Sequence, residues 1–157
     1  MSKSLKRVRA TLEAAGVTPD IRETALARTA QDAAEALGCE VNQIAKSIVL
    51  RGEDSGAAVL FITAGARQVD LDHAAALAGE ALGKADAALI RAQTGFAIGG
   101  VAPLGHLTPP RAWFDRQLLS FPLVWAAAGT PHHVFSLAPA EMARLSQAQL
   151  ADFTRPS

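Results

Sequence analysis

Tyrosine is absent from this chain, and cysteine occurs once, at Cys39. A single thiol excludes an intrachain disulfide framework and suits a reducing compartment. Aromatic residues make up only 5% of the sequence, too few for the exposed stacking platforms that hold single-stranded nucleic acid. Net charge is missing as well. The 15 basic side chains are matched by 15 acidic ones, whereas a protein that grips nucleic acid by its phosphates alone is normally basic. A sequence-specific DNA-binding protein is therefore disfavoured. No stretch approaches 18 uninterrupted apolar residues, so no membrane span is predicted, and Met1–Ala10 is too polar and basic for a signal peptide. The expectation is one cytoplasmic domain over residues 1–157, with 50% hydrophobic residues to fill a core.

Several familiar sites are missing too. The glycines spell neither a dinucleotide fingerprint nor a P-loop, and there is no CxxC, HExxH or GxSxG. His73, His106, His132 and His133 are scattered, so no metal and no cofactor is expected. Cys39 follows a predicted helix end without a partner in the sequence and reads as a packing residue.

What is present centres on Thr94–His106, TGFAIGGVAPLGH. It carries Gly95, Gly99, Gly100, Gly105 and Pro103 with almost no charge. An apolar stretch hides from water, and a glycine-rich one lets main chain approach something closely. Either a pocket wall lined by backbone N–H groups or a tight buried turn satisfies both. The strand Ile44–Leu50 adds a second feature. Alternation puts Lys46 on one face with Ile44, Ile48 and Leu50, and Ala45, Ser47 and Val49 on the other. An inward lysine is costly unless its ammonium meets an anion, a carbonyl or solvent in a cavity. The small-residue turn Ala126–Thr130 is the third. Together they describe a cavity lined by backbone donors with one ammonium, suited to a carbonyl or phosphate oxygen. No general base is evident: His132 and His133, beside the Gly129-Thr130 turn, could reach a pocket mouth but read more commonly as exposed turn residues, and His106 reads as a hydrogen-bonding partner of the glycine loop's own backbone. Trp113 and Trp125 read as core or pocket wall.

Elsewhere the pattern predicts helices at Ser2–Ala15 (capped by Ser4), Ala30–Leu37, Leu71–Ala78, Ala87–Gln93 and from Pro139 to about Leu145. Short strands are predicted at Asp20–Thr24, Ala57–Thr63, Leu82–Ala85, Ala112–Phe114, Pro122–Ala127 and His133–Leu137, with Gly129-Thr-Pro131 a turn and Ala151–Ser157 frayed. Interleaved short strands, hairpins and helices indicate an α+β fold. Lys3, Lys6, Arg7 and Arg9 crowd the first helix and read first as a solvated face, with a polyanion contact as the alternative, separable from the fold by deleting Met1–Arg9.

Gln43-Ile-Ala-Lys-Ser-Ile48, Val69-Asp-Leu71, the run from Thr94 to Gly105 and Ala127-Ala-Gly129 occur in an order that closely resembles the YbaK family of aminoacyl-tRNA deacylases. These are free-standing relatives of the editing domain of bacterial prolyl-tRNA synthetase, and the resemblance covers about Val17–Leu150. It implies an α+β fold with a mixed, barrel-like β-sheet and flanking helices. The implied activity is trans-editing: hydrolysis of the ester on mischarged aminoacyl-tRNA, often tRNA(Pro). The family lysine matches Lys46 as the catalytic residue. The family's GxxxP loop matches Gly99–Pro103. With it come Ile98, Gly100, Val101, Ala128, Gly129 and Thr130 as the substrate-binding set around the 3′-terminal adenosine and the amino acid. Attack by water, assisted by the substrate's own ribose hydroxyl, would explain the missing base. Small aliphatics at Ile98, Val101 and Ala128 favour alanine, 2-aminobutyrate, serine or cysteine. An aminoacyl-tRNA synthetase is a candidate partner, while a membrane or specific DNA is not. The competing reading is a non-catalytic tRNA- or synthetase-binding module.

Overall fold

The structure is a computed structural model and describes residues 2–155. Its helices start and stop where short polar side chains and glycines punctuate the sequence. α1 (Lys3–Ala14) is capped by Ser2, whose hydroxyl accepts from Leu5 N at 3.0 Å, so the cap lies two residues before the expected Ser4. α2 (Ala30–Leu37) is capped by Thr29 and followed by Gly38. α3 (Leu71–Ala78) and α4 (Ala87–Thr94) begin at Asp70 and Asp86, whose carboxylates accept from the first free N–H groups. α5 (Pro139–Leu145) has proline in its first turn.

Among the described residues ten strands form three sheets. β2 (Ala45–Gly52), β3 (Ala58–Ala64), β5 (Leu82–Lys84), β6 (Arg111–Asp115) and β9 (Gln149–Ala151) make a five-stranded sheet in the order β5-β2-β3-β6-β9. It is mixed: β2 pairs antiparallel with β3 and β5, whereas β3–β6 and β6–β9 are parallel. β1 (Ile21–Glu23), β7 (Val124–Thr130) and β8 (His133–Leu137) form an antiparallel sheet in the order β1-β8-β7. β4 (Gln68–Val69) pairs with β10 (Thr154–Arg155). The two larger sheets touch through one parallel bridge, Ile44 to Trp125. Among the described residues they do not close into a barrel, so the barrel-like sheet implied by the resemblance is an open one. Beyond the bridge, β2 and β7 run on either side of a cavity.

The core is organised on β3, every residue of which is buried. One face, with Leu60 and Ile62, packs in a cluster with Leu5, Val8 and Leu12 of α1 and with Phe96, Phe114 and Phe135. On the other face Phe61 stacks on Trp113 at 5.0 Å and meets Phe153 edge-on at 5.0 Å.

Two expectations are corrected here. β7 does not end in a turn at Gly129 but continues to Thr130 across a register shift after Ala127, leaving Pro131 and His132 to make the reversal. The chain after Ala151 is not frayed as far as it is described. β9 adds a strand to the main sheet, β10 pairs with β4, and Phe153 is 0% exposed; residues 156 and 157 lie outside the described residues. A polar tail composition hid one aromatic residue that reaches the core. Phe153→Ala is expected to lower stability by about 3–5 kcal/mol, measured as a shift in the urea midpoint at unchanged slope.

Candidate active site

The cavity between β2 and β7 has a volume of about 820 Å³. Five consecutive residues from Ile44 to Ile48 line it. Side chains alternate across a strand, so an unbroken run marks a strand edge rather than a face. The pairing agrees: β3 takes one edge of β2 along its length, but β5 takes the other only from Leu50 to Gly52. The remaining main chain of that edge is turned to the cavity, with Lys46 on one side of the strand and Ser47 on the other. The opposite wall is Trp125, Ala126 and Ala127 of β7, Thr130 and His133. Residues 26–31, leading into α2, and the apolar tip Ile98 frame the mouth.

Lys46 lies on the face predicted by alternation, opposite Thr63 of β3. Its Nζ donates to the carbonyls of Gly65 (3.1 Å) and Arg67 (2.6 Å). Burial pulls its pKa below the ordinary lysine value, and the negative charge of Asp115 opposes that shift. Asp115 is 1% exposed and follows Phe114, the partner of Ile62, which brings it to the level of Thr63 on the same face. Its carboxylate accepts from Ala64 N (3.1 Å) and Gln117 N (3.0 Å). The turn after β3 is thus held by a carboxylate at its entry and an ammonium at its carbonyls, and Asn42 Oδ1 accepts from Ala66 N at 2.9 Å. Only glycine fits at Gly65, because a Cβ there would collide with the Val41 carbonyl.

The glycine loop is fixed from both sides. In front, Gly100 packs on the hairpin: a Cβ there would lie 2.8 Å from Thr130 Cα. Behind, Arg7 Nε donates to Gly105 O at 2.6 Å, a second Arg7 nitrogen lies 3.4 Å from Thr94 O, and the guanidinium sits 4.6 Å from the Phe96 ring centroid. Arg7 is therefore a loop clamp rather than a free cation, and α1 buries Leu5, Val8 and Leu12. Deleting residues 1–9 would remove core, contrary to the expectation that it spares the fold. His106 Nε2 lies 2.6 Å from Ala102 O. A carbonyl only accepts, so Nε2 carries the proton and Nδ1, which is buried, has no partner.

Of the residues nominated from sequence, Lys46, Ile98, Gly99, Val101 and Thr130 line one cavity. Gly100 supports the loop against the hairpin. Pro103 instead faces a smaller cleft of about 240 Å³ beside His106. Ala128 is 0% exposed in the main core, and Ala127 occupies the wall position expected for it. Gly129 packs on α1, where a Cβ would lie 2.8 Å from the Ser4 carbonyl oxygen. Alternation along β7 accounts for the exchange, since Ala126 and Ala128 share the core cluster while Trp125 and Ala127 line the cavity.

Sequence reasoning missed Ser47, Gly65 and the 26–31 segment, and it favoured an exposed turn for His133, which lines the cavity. Thr130 Oγ1 is 2.7 Å from His133 Nδ1 and accepts from His132 N at 3.1 Å, while His133 Nε2 lies 3.8 Å from a Glu23 carboxylate oxygen. The pairing of Glu23 with His133 across β1 and β8 has no local sequence signal. Among the described residues no group of three His, Cys, Asp or Glu side chains is placed to hold a metal ion, and no helix is long and apolar enough to cross a membrane.

Residues 24–145 match the family model of the aminoacyl-tRNA editing domain. The uncharacterized protein YwhH of Bacillus subtilis (strain 168) is 31% identical over 118 residues, 75% of this chain and 74% of that protein. A crystal structure described as that of a candidate trans-editing enzyme for prolyl tRNA synthetase is 44% identical, with a TM-score of 0.91 and 99% of each chain covered. The hypothetical protein APE2540 superposes with a TM-score of 0.86 at 25% identity, covering 95% of this chain and 99% of that one.

Burial, reinforced by the nearby Arg7 cation, holds the pKa of His106 below its ordinary value of 6.5 despite the Ala102 hydrogen bond. The unfolded chain then binds the extra proton first as pH falls. The stability contribution is whole above about pH 6.5 and is lost as pH drops toward the folded-state value. The urea midpoint is expected to fall between pH 7 and pH 5, and His106→Gln, which retains a donor for Ala102, to flatten that fall.

Proposed function

Because the chain belongs to the aminoacyl-tRNA editing-domain family, we propose that it is a trans-editing hydrolase that cleaves the ester of mischarged aminoacyl-tRNA. The substrate is tRNA(Pro) carrying a small amino acid: alanine, 2-aminobutyrate, serine or cysteine. The observation that carries this reading is the Lys46 ammonium, anchored on two carbonyls at the wall of a cavity that also holds the glycine loop and an unpaired strand edge. The crystal structure described as a candidate trans-editing enzyme, at 44% identity over nearly the whole chain, supports it.

Lys46 is donor-only and already directed by Gly65 and Arg67, so its remaining N–H polarises the ester carbonyl or meets the terminal phosphate. Loop amides near Ile98 and Gly99 receive the oxyanion as the carbonyl carbon becomes tetrahedral. Ile98, Val101 and Ala127 limit the size of the aminoacyl group. Such a wall separates substrates differing by one methylene by only about 1–3 kcal/mol, so several small residues are accepted. A neutral protein has weak affinity for tRNA alone, and the exposed Lys3 and Lys6 of α1, or an aminoacyl-tRNA synthetase, add to it.

Deacylation of tRNA(Pro) charged with alanine, 2-aminobutyrate, serine, cysteine or proline tests this. Wild type is expected to hydrolyse at least one non-cognate species and spare Pro-tRNA(Pro), and Lys46→Ala to lose about 10²–10³ in rate. Undiminished turnover by Lys46→Ala would remove the lysine from the mechanism, and no hydrolysis of any species would favour a binding module. Lys3→Glu combined with Lys6→Glu should raise KM several-fold at constant kcat and unchanged melting temperature. An unaltered KM would exclude α1 from the tRNA contact.

A further inference from the structure

Acidic and basic side chains balance over the chain, but they do not balance in the main cavity. Arg28, Lys46 and His133 line it, and among the described residues no aspartate or glutamate does. Cations gathered without a counter-charge in a neutral protein suit an anionic ligand. The Lys46 ammonium is already directed by two carbonyls. Arg28 is not directed by anything. It lies exposed at the mouth, in the segment leading into α2, and among the described residues its guanidinium makes no hydrogen bond and no ion pair. Other arginines serve the fold: Arg7 clamps the glycine loop, Arg111 pairs with Glu80 and Arg144 with Glu141. The acids close to Arg28 in sequence are occupied elsewhere. Asp32 Oδ2 accepts from the backbone N–H of Arg28 at 3.3 Å, and Asp32 N donates to the Thr29 hydroxyl at 3.1 Å. Glu35 accepts from the side-chain amide of Gln31 at 3.2 Å. The main chain at residue 28 is thus tied to the helix start while its charge is left open. Leu26 and Ile98, both exposed, border the same mouth, so an anion at this rim finds its cationic partner in Arg28.

We propose that Arg28 is a positioning residue that holds the phosphate on the 5′ side of the substrate's terminal nucleoside. The inference rests on the hydrolase reading above and deepens it, because the site then recognises a nucleotide rather than a bare aminoacyl ester. With the aminoacyl group inside the cavity, that phosphate is the fixed negative charge nearest the ester, and it stays at the rim. A guanidinium offers two parallel N–H donors to two phosphate oxygens, which fixes orientation as well as charge. It keeps that charge at any pH the fold tolerates, and no internal ion pair has to break first. The ester is then placed between two fixed points: the phosphate at Arg28, and the aminoacyl group against Ile98, Val101 and Ala127. Placement of this kind speeds the chemical step without any group of the pair touching the reacting atoms.

The experiment compares wild type, Arg28→Gln and Arg28→Lys on the non-cognate aminoacyl-tRNA(Pro) that wild type hydrolyses fastest, across a salt series. Two fragments bearing the same amino acid accompany it: 3′-aminoacyl-adenosine with and without a 5′-phosphate. On tRNA, Arg28→Gln should raise KM about tenfold, with the loss confined to KM and the melting temperature unmoved. It should also lower the slope of log(kcat/KM) against log salt by about 0.7, the share of one phosphate on a single strand. Arg28→Lys, which keeps the charge but not the paired donors, should hold the wild-type slope with an intermediate KM. On the fragments, the 5′-phosphate should raise kcat/KM about tenfold for wild type and less than about twofold for Arg28→Gln. An equal gain from the phosphate in both proteins overturns the proposal. So does a kcat loss on both fragments alike, which would make Arg28 a structural part of the mouth. If the fragments are not turned over, the KM and salt slope on tRNA decide, and wild-type values for Arg28→Gln refute the contact. Hydrolysis abolished by Lys46→Ala but indifferent to Arg28 leaves the hydrolase reading standing without the phosphate contact. No hydrolysis by wild type removes both.

Discussion

A half-buried ammonium with two main-chain carbonyls as its acceptors is the constraint on which the site depends. Lys46 Nζ reaches Gly65 O and Arg67 O, and both carbonyls belong to one turn. That turn is pinned by Asp115 through Ala64 N and by Asn42 through Ala66 N. Removing a lysine from water costs free energy unless every N–H it loses from solvent is replaced. Here the replacement is fixed backbone, so the cation has one position. The nearby Asp115 carboxylate offsets part of the desolvation. One consequence reaches backward into the sequence: position 65 must be glycine, because the turn passes against the Val41 carbonyl.

The second wall is held with equal economy of motion. A glycine-rich loop is entropically expensive to order, and this one is ordered from outside. Arg7 joins its two ends through Thr94 and Gly105 while covering Phe96, and His106 ties Ala102. Gly100 then rests on Thr130. The first helix is thus part of the site's scaffold although it does not line the cavity. A group that stabilises developing charge is effective when it is in place before the reaction, and the loop is in place because α1 holds it.

Much of this was legible in the chain. Alternation alone put Lys46 on an inward face, and the helices expected at Ala30–Leu37, Leu71–Ala78 and Ala87–Gln93 agree with the structure to within a residue. Lys46, Ile98, Gly99, Val101 and Thr130, nominated from sequence, do share one cavity. The errors have a common origin. Ala127 rather than Ala128 lines the wall because alternation along β7 sends Ala126 and Ala128 together into the main core, and which face meets the cavity is set by packing that the sequence does not show. Phe153 was dismissed with a polar tail because its partners, Phe61 and Trp113, are distant in sequence. Arg7 was read as a surface charge because its partners lie 87 and 98 residues away.

The sequence by itself determined the α+β class, most element boundaries, the inward lysine and the apolar glycine loop. Each follows from local rules: periodicity, capping and the backbone freedom of glycine. Tertiary structure alone decided that the sheets stay open rather than closing, that the edge of β2 is left free to line a cavity, and that Thr130 and Glu23 come to lie beside His133. Those outcomes depend on strand register and on contacts between residues far apart in the chain. A register offset by one residue would carry the same side chains to the opposite face.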